Sequence, residues 1–198
     1  MTLRLGIDFG GVCSRDSDSY ETDADAKDDQ AINVPGCIEA LTELKRQGHY
    51  LVLVSFCGKK RADTTRRSKA MGYFHEVYFV KKRPSKSQVC HVLGLDAMID
   101  DRSDVLAVIK GDKRKTKTVK FSSHPSDDKT NFVPDYRVDS WREFMEHVLP
   151  RLQAQHLPQH GPVPESLIYT ESNGTESNGT ESNNNPRVII NSIFRRNP

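Results

Sequence analysis

Four short stretches place side chains that could act on phosphorus directly after apolar, strand-like runs. Residues 3–7 lead into Asp8-Phe9-Gly10-Gly11-Val12, and the run 50–55 ends in Ser55. Residues 76–80 lead into the basic stretch Lys81-Lys82-Arg83-Pro84-Ser85-Lys86, and residues 97–99 into Asp100-Asp101, with Asp104 following. An aspartate beside glycines can approach a substrate closely and attack phosphorus, provided that positive charge offsets the repulsion between two anions. A serine hydroxyl and backbone N–H groups can hold phosphoryl oxygens, and a lysine can supply a fixed positive charge. A carboxylate pair opposite Asp8 can bind Mg2+, a hard cation that takes oxygen ligands and keeps water. These are the parts of metal-assisted phosphoryl transfer. Singly, each has a plainer reading: turn residue, helix cap, surface lysine, exposed acidic pair. Their order at successive strand ends carries the signal.

The elements that must position these residues alternate regularly. Residues 3–7, 50–55, 76–80, 97–99 and 118–121 read as strands, the second apolar on both faces as a central parallel strand should be. Helical patterns fall at 35–47, around 61–71, at 85–93 and, for a turn or two, at 104–109. The helix after residue 140 opens on a Ser140/Glu143 capping box, and Trp141, Phe144, Met145, Val148, Leu149 and Leu152 share one stripe. Such alternation predicts a three-layer, Rossmann-like α/β fold: a parallel sheet with helices on both faces and its ligand at the carboxyl ends of the strands. The α/β domain is expected over 1–152. From 153 to 198 the chain turns polar, with TESNG repeats over 170–184, a composition that cannot bury a core and reads as a mostly disordered tail. Within that tail the run 188–194 is apolar enough to dock on the domain.

Bulk properties narrow the class. The chain has 198 residues and a net charge of +2, so it is not a polyelectrolyte built for nucleic acid. Its charge is nonetheless uneven: 16–29 is acidic, while 59–61, 81–83 and 110–120 are basic, runs that read first as solvated faces. No apolar stretch approaches a bilayer span, and the start of the sequence lacks the apolar region of a signal peptide, so a cytoplasmic protein is expected, with no membrane partner. Cys13, Cys37, Cys57 and Cys90 have no metal-ligand spacing and read as reduced, mostly buried thiols.

The stretches LRLGIDFGGV, LVLVS and MIDDRSDVL, with a lysine ahead of the last, resemble the motifs of the haloacid dehalogenase-like (HAD) hydrolases over roughly residues 3–150. The resemblance implies Asp8 as the nucleophile that forms an aspartyl-phosphate, Ser55 on the phosphoryl oxygens, and Lys86, with Lys82 as the alternative, as the motif lysine. It also implies a Mg2+ site made by Asp8, the Gly10 carbonyl, Asp100 and Asp101. One departure stands out: Gly10 occupies the position where the family's phosphatases usually carry a second aspartate as general acid and base. Asp16, Asp18 or a water could replace that acid, although both aspartates also read as solvated loop residues. Neither 13–34 nor 56–73 looks like a folded cap domain. An open site among basic loops suits a nucleotide or other anionic phosphoester, with a nucleic-acid end also open. The alternative is a catalytically impaired domain that binds a phosphate or a partner. Oligomeric state is not legible.

Overall fold

Successive residues of the central strands divide between two hydrophobic cores. In β2 (Tyr50–Phe56), Leu51 and Leu53 join one core and Val52 and Val54 the other. The same division separates Val77 and Phe79 from Tyr78 in β3 (Glu76–Val80), and Ala97 and Ile99 from Met98 in β4 (Ala97–Asp100). Side chains alternate across a strand, so a sheet apolar on both faces must be covered on both. Helices do so. Helix α1 (Cys37–Arg46) and the closing helix cover one face; α3 (Ser85–Val92) and α4 (Ser103–Gly111) cover the other. The protein therefore has the three-layer, Rossmann-like α/β architecture expected from its sequence. This computed structural model describes residues 2–15, 32–111, 115–122, 131–155 and 187–188.

Every strand pair is parallel, in the order β6-β5-β4-β1-β2-β3-β7, where β1 is Arg4–Ile7, β5 Lys117–Phe121, β6 Tyr136–Val138 and β7 Arg187–Val188. From β1 the chain builds outward through β2 to β3. It then returns to the other side of β1 and builds outward again through β4 to β6. The reversal opens a crevice between the carboxyl ends of β1 and β4, the place where sheets of this kind bind ligands.

The differences from the sequence reading have local causes. Helix α1 begins at Cys37 rather than residue 35 because Gly36 has a φ of 75°, a left-handed conformation that breaks the helix. The single helix expected around 61–71 is two elements, α2 (Lys59–Arg67) and a 3-10 turn (Lys69–Tyr73). Ser68 separates them with extended backbone, and its hydroxyl accepts the Ala70 N–H at 3.1 Å. The closing helix, α5, runs from an α turn (Trp141–Glu143) through a π turn (Phe144–Val148) into a final α segment (Leu149–Gln155). Ser140 accepts the Glu143 N–H at 3.2 Å, whereas the Glu143 carboxylate takes the Asp139 N–H at 2.7 Å rather than that of Ser140. Strand β6, three residues at the sheet edge, was not expected. The tail expectation lies largely outside the described residues, but Arg187–Val188 pairs with β3 at Glu76 and Val77.

Candidate active site

Register brings the first acidic pair together. Ile7 pairs with Ile99, so Asp8 and Asp100 stand side by side where β1 and β4 end, and the Asp8 N–H donates to the Ile99 carbonyl at 2.9 Å. Lys86, on the sheet-facing side of α3, reaches both: its Nζ lies 2.9 Å from Asp8 Oδ2 and 2.7 Å from Asp100 Oδ2. Backbone donors hold the remaining oxygens, with the Phe9 N–H on Asp8 Oδ1 at 2.7 Å and the Arg102 N–H on Asp100 Oδ1 at 2.9 Å. Asp101 follows on the same turn, its carbonyl accepting from Lys120 Nζ. Asp8, Asp100 and Asp101 each present a carboxylate oxygen within 4.8 Å of the others.

The loop after β1 is shaped to fit this cluster. Gly11 has a φ of 74°, and a β-carbon there would run into the Asp101 side chain. Trp141 of the closing helix donates its indole N–H to the Val12 carbonyl at 2.9 Å, pinning the loop from below. Gly10 differs: a β-carbon there would meet nothing within 4 Å.

A cavity of about 250 Å3 opens over the cluster. Asp8, Phe9, Gly10, Gly11, Ser55, Lys86 and Asp101 form its floor, and Phe56, Cys57, Thr65 and Phe79 line its β2–β3 side. Arg15, Arg61, Arg83 and Arg102 complete it.

The three acids at the strand ends are crowded together more closely than Lys86 alone can offset. Burial, then the neighbouring Asp8 charge, pushes the Asp100 carboxyl up to about 7, and the same two causes push Asp101 up to about 6. Burial by itself would lower the Lys86 ammonium, but Asp8 and Asp100 beside it raise it above the ordinary lysine value. One lysine between crowded acids leaves them partly protonated near neutrality. An all-oxygen donor set of this kind fits a hard divalent cation such as Mg2+, which would replace those protons. The cysteines near the strand ends stay protonated: burial pushes the Cys57 thiol up to about 11 and that of Cys13 well above its ordinary value.

The structure thus gathers Asp8, Gly10, Ser55, Lys86 and Asp101 in one cavity with Asp100 beneath it. Of the two lysines left open, Lys86 is buried against the acids and Lys82 is exposed outside the cavity. Asp16 and Asp18 lie outside the described residues. Lys120 was missed. It is almost fully buried, although its alternation with Thr118 along β5 was the available hint that a lysine sat on a covered face. Arg15 and Arg102 were missed as well. Between β2 and β3 stand only α2 and the 3-10 turn. No helix among the described residues is long and apolar enough to cross a membrane.

No family model matches the sequence, and no curated protein matches it significantly. Solved structures do. The D,D-heptose 1,7-bisphosphate phosphatase of B. bronchiseptica, solved with magnesium and phosphate, aligns at 16% identity and a TM-score of 0.54, covering 75% of this chain and 99% of that one. A haloacid dehalogenase-like family hydrolase from Xanthomonas campestris aligns at 13% identity and a TM-score of 0.53, over 77% and 97% of the two chains. A predicted phosphoglycolate phosphatase from Haemophilus somnus aligns at 16% identity over 57% of this chain; the match spans only 55% of that protein, and its TM-score of 0.45 is too low to bear on the fold. The protein has the fold of the haloacid dehalogenase-like hydrolases.

Proposed function

We propose that this protein is a Mg2+-dependent phosphatase acting through an aspartyl-phosphate on Asp8, with a nucleotide or other anionic phosphoester as substrate. The observation that carries this reading is Lys86 bridging Asp8 and Asp100 at the sheet's crevice, with Asp101 alongside. An Asp8 carboxylate oxygen attacks phosphorus, the bond from phosphorus to the leaving oxygen breaks, and a water later cleaves the acyl phosphate to restore Asp8 and release phosphate. Lys86, 2.9 Å from Asp8, offsets charge on the attacking carboxylate and on the phosphoryl group, while the Ser55 hydroxyl orients a phosphoryl oxygen. Mg2+, held by Asp8, Asp101, Asp100 and the Gly10 carbonyl, would supply the charge that lets the two anions meet. Two of the aligned proteins, the heptose bisphosphate phosphatase and the Xanthomonas hydrolase, agree with a hydrolytic role.

A second reading has an observation of its own. Gly10 puts no acid where the leaving oxygen would take its proton, and such an acid is worth about 10²–10⁴ in rate. A domain that binds phosphate and turns it over poorly would look the same. Hydrolysis of an aryl phosphate and a nucleotide panel, with and without Mg2+, separates the two. Under the phosphatase reading the wild type turns over only with Mg2+, and Asp8→Asn is inactive. A folded wild type that binds Mg2+ yet hydrolyses nothing would favour the binding role.

A further inference from the structure

The cavity carries more positive charge than one phosphoryl group calls for. Arg15, Arg61, Arg83, Arg102 and Lys86 line it, against the carboxylates of Asp8 and Asp101. The arginines come from four separate segments: the loop after β1, the first turn of α2, the loop after β3 and the turn after β4. Two of these five cations sit on acids of the same crevice. Lys86 serves Asp8 and Asp100, and Arg102 is clamped to Asp104 by hydrogen bonds of 2.9 and 3.1 Å.

Arg83 is held in a different way. Its guanidinium lies over the ring of Phe56, 4.7 Å from the centroid, and Phe56 is itself 38% exposed at the cavity wall. Stacking occupies the flat face of a guanidinium and leaves the N–H donors, which lie in its plane, directed outward. Asp104 feels the Arg83 charge but is hydrogen-bonded to Arg102 instead. Arg61 is half-buried in the same cavity, close enough to Cys57 for its charge to act on that thiol, and Cys57 directly follows Phe56. Arg61, on the first turn of α2, and Arg83, on the loop after β3, therefore stand past the ends of β2 and β3, beside the floor formed by Asp8, Ser55 and Lys86. An aromatic-backed guanidinium with open in-plane donors is suited to two oxygens of a phosphate or a carboxylate.

We propose that the substrate is doubly anionic. Its scissile phosphoryl group sits at Asp8 and Lys86, and a second phosphate or carboxylate sits between Arg83 and Arg61. This inference rests on the phosphatase reading and narrows its substrate class. Arg61 and Arg83 line the same cavity as Asp8 and Lys86, so a short framework can join the two anions.

Matched substrates test the inference in the full-length chain with Mg2+. One pair is fructose 6-phosphate against fructose 1,6-bisphosphate; the other is glycerol 3-phosphate against 3-phosphoglycerate, which carries a carboxylate. The wild type is expected to favour at least one doubly anionic partner by roughly ten- to hundredfold in kcat/KM, the range a charge-assisted hydrogen bond can supply. Which pair shows the preference identifies the second group as phosphate or carboxylate. The ratio is expected to fall toward one in Arg61→Gln/Arg83→Gln. A wild-type ratio near one in both pairs overturns the proposal while leaving the phosphatase reading standing. So does a ratio unchanged in the double variant. If no phosphoester is hydrolysed, the phosphatase reading fails, and calorimetric binding of the same four compounds to the wild type decides the subsite. Tighter binding of a doubly anionic compound, lost in the double variant, supports it; equal binding overturns it.

Discussion

Carboxylates with close partners occur at both ends of the sheet, and the two ends treat them in opposite ways. At the amino end, Asp135 accepts the Thr118 N–H at 2.8 Å and the Thr118 hydroxyl at 2.7 Å, with Lys110 Nζ 3.2 Å away. Burial alone would raise its carboxyl, but these partners hold it below the ordinary aspartate range. Glu76, at the same end, takes the hydroxyls of Tyr50 and Tyr78, and Arg4 stacks on Tyr50 with 4.5 Å to the ring centroid. At the carboxyl end, Asp100 and Asp101 share their surroundings with a third acid, Asp8, and both are pushed up. The amino-end acids are answered by partners the chain itself supplies, so they serve the fold. The carboxyl-end acids have one buried lysine and two backbone N–H donors between them and are still pushed up by one another, an arrangement that costs stability and suits completion by a further cation.

The largest expected effect concerns the carboxyl end and the open position at Gly10. Gly11 cannot be replaced without displacing Asp101, but Gly10 has free space around its missing β-carbon and no left-handed φ. Under the phosphatase reading, Gly10→Asp adds a carboxyl group able to protonate the leaving oxygen. Turnover of an alkyl phosphate, a poor leaving group, is then expected to rise by about 10²-fold, the low end of general acid catalysis. An aryl phosphate, whose leaving group needs no proton, should gain far less. An equal change for both substrates would show that the new carboxylate acts on something other than the leaving group.

A substitution at the amino end sharpens the contrast by acting on stability alone. Asp135→Ala strands the Thr118 N–H and hydroxyl, and Thr118 is fully buried. Loss of about 1–3 kcal/mol is expected in chemical denaturation, the cost of leaving such groups unpaired. Turnover at saturating Mg2+ should match the wild type below the new melting temperature. A fall in kcat would mean that the two ends are mechanically linked through β5, where Thr118 and Lys120 lie on the same strand.

How far the sequence disclosed this contrast depended on whether a residue's role was set locally. The strand ends were legible because a parallel sheet forces apolar runs, and Asp8, Ser55 and Asp100 directly terminate or follow such runs. Choosing between Lys82 and Lys86 required the rotation of α3, which turns Lys86 inward and leaves Lys82 in the exposed loop. Lys120 was hidden because its partner, the Asp101 carbonyl, is a backbone atom on the turn just past the neighbouring strand, which no pattern of residue types reveals. The same holds for Asp135, whose partner Thr118 is met only once β5 and β6 pair. Strand β6 itself is too short for alternation to register. The arginines of the cavity look like ordinary surface residues because their convergence depends on loops far apart in sequence.

The smallest expected effect tests the incomplete acid cluster directly. Asp100 at about 7 and Asp101 at about 6 both lie above 3.8, the ordinary value that the unfolded chain keeps. Between about pH 4 and 7 the folded protein therefore binds more protons than the unfolded chain. The contribution of this site to stability then falls as pH rises through that window. At pH 5.5 the protons already relieve the cluster, and a divalent cation must displace them to bind. At pH 8 the carboxylates are ionised and repelling, and a cation binds without that competition. Thermal unfolding with Mg2+ and with EDTA is thus expected to differ little at pH 5.5. At pH 8 the two melting temperatures should separate by a few degrees, as about 1.4 kcal/mol of stabilisation at ten times Kd would give for a domain of this size. Histidines such as His49 and His75, which burial lowers, titrate in both samples and cancel in the difference. An equal Mg2+ effect at both pH values would mean that the cation binds away from Asp100 and Asp101, and that the crowding of acids at the carboxyl end has another purpose.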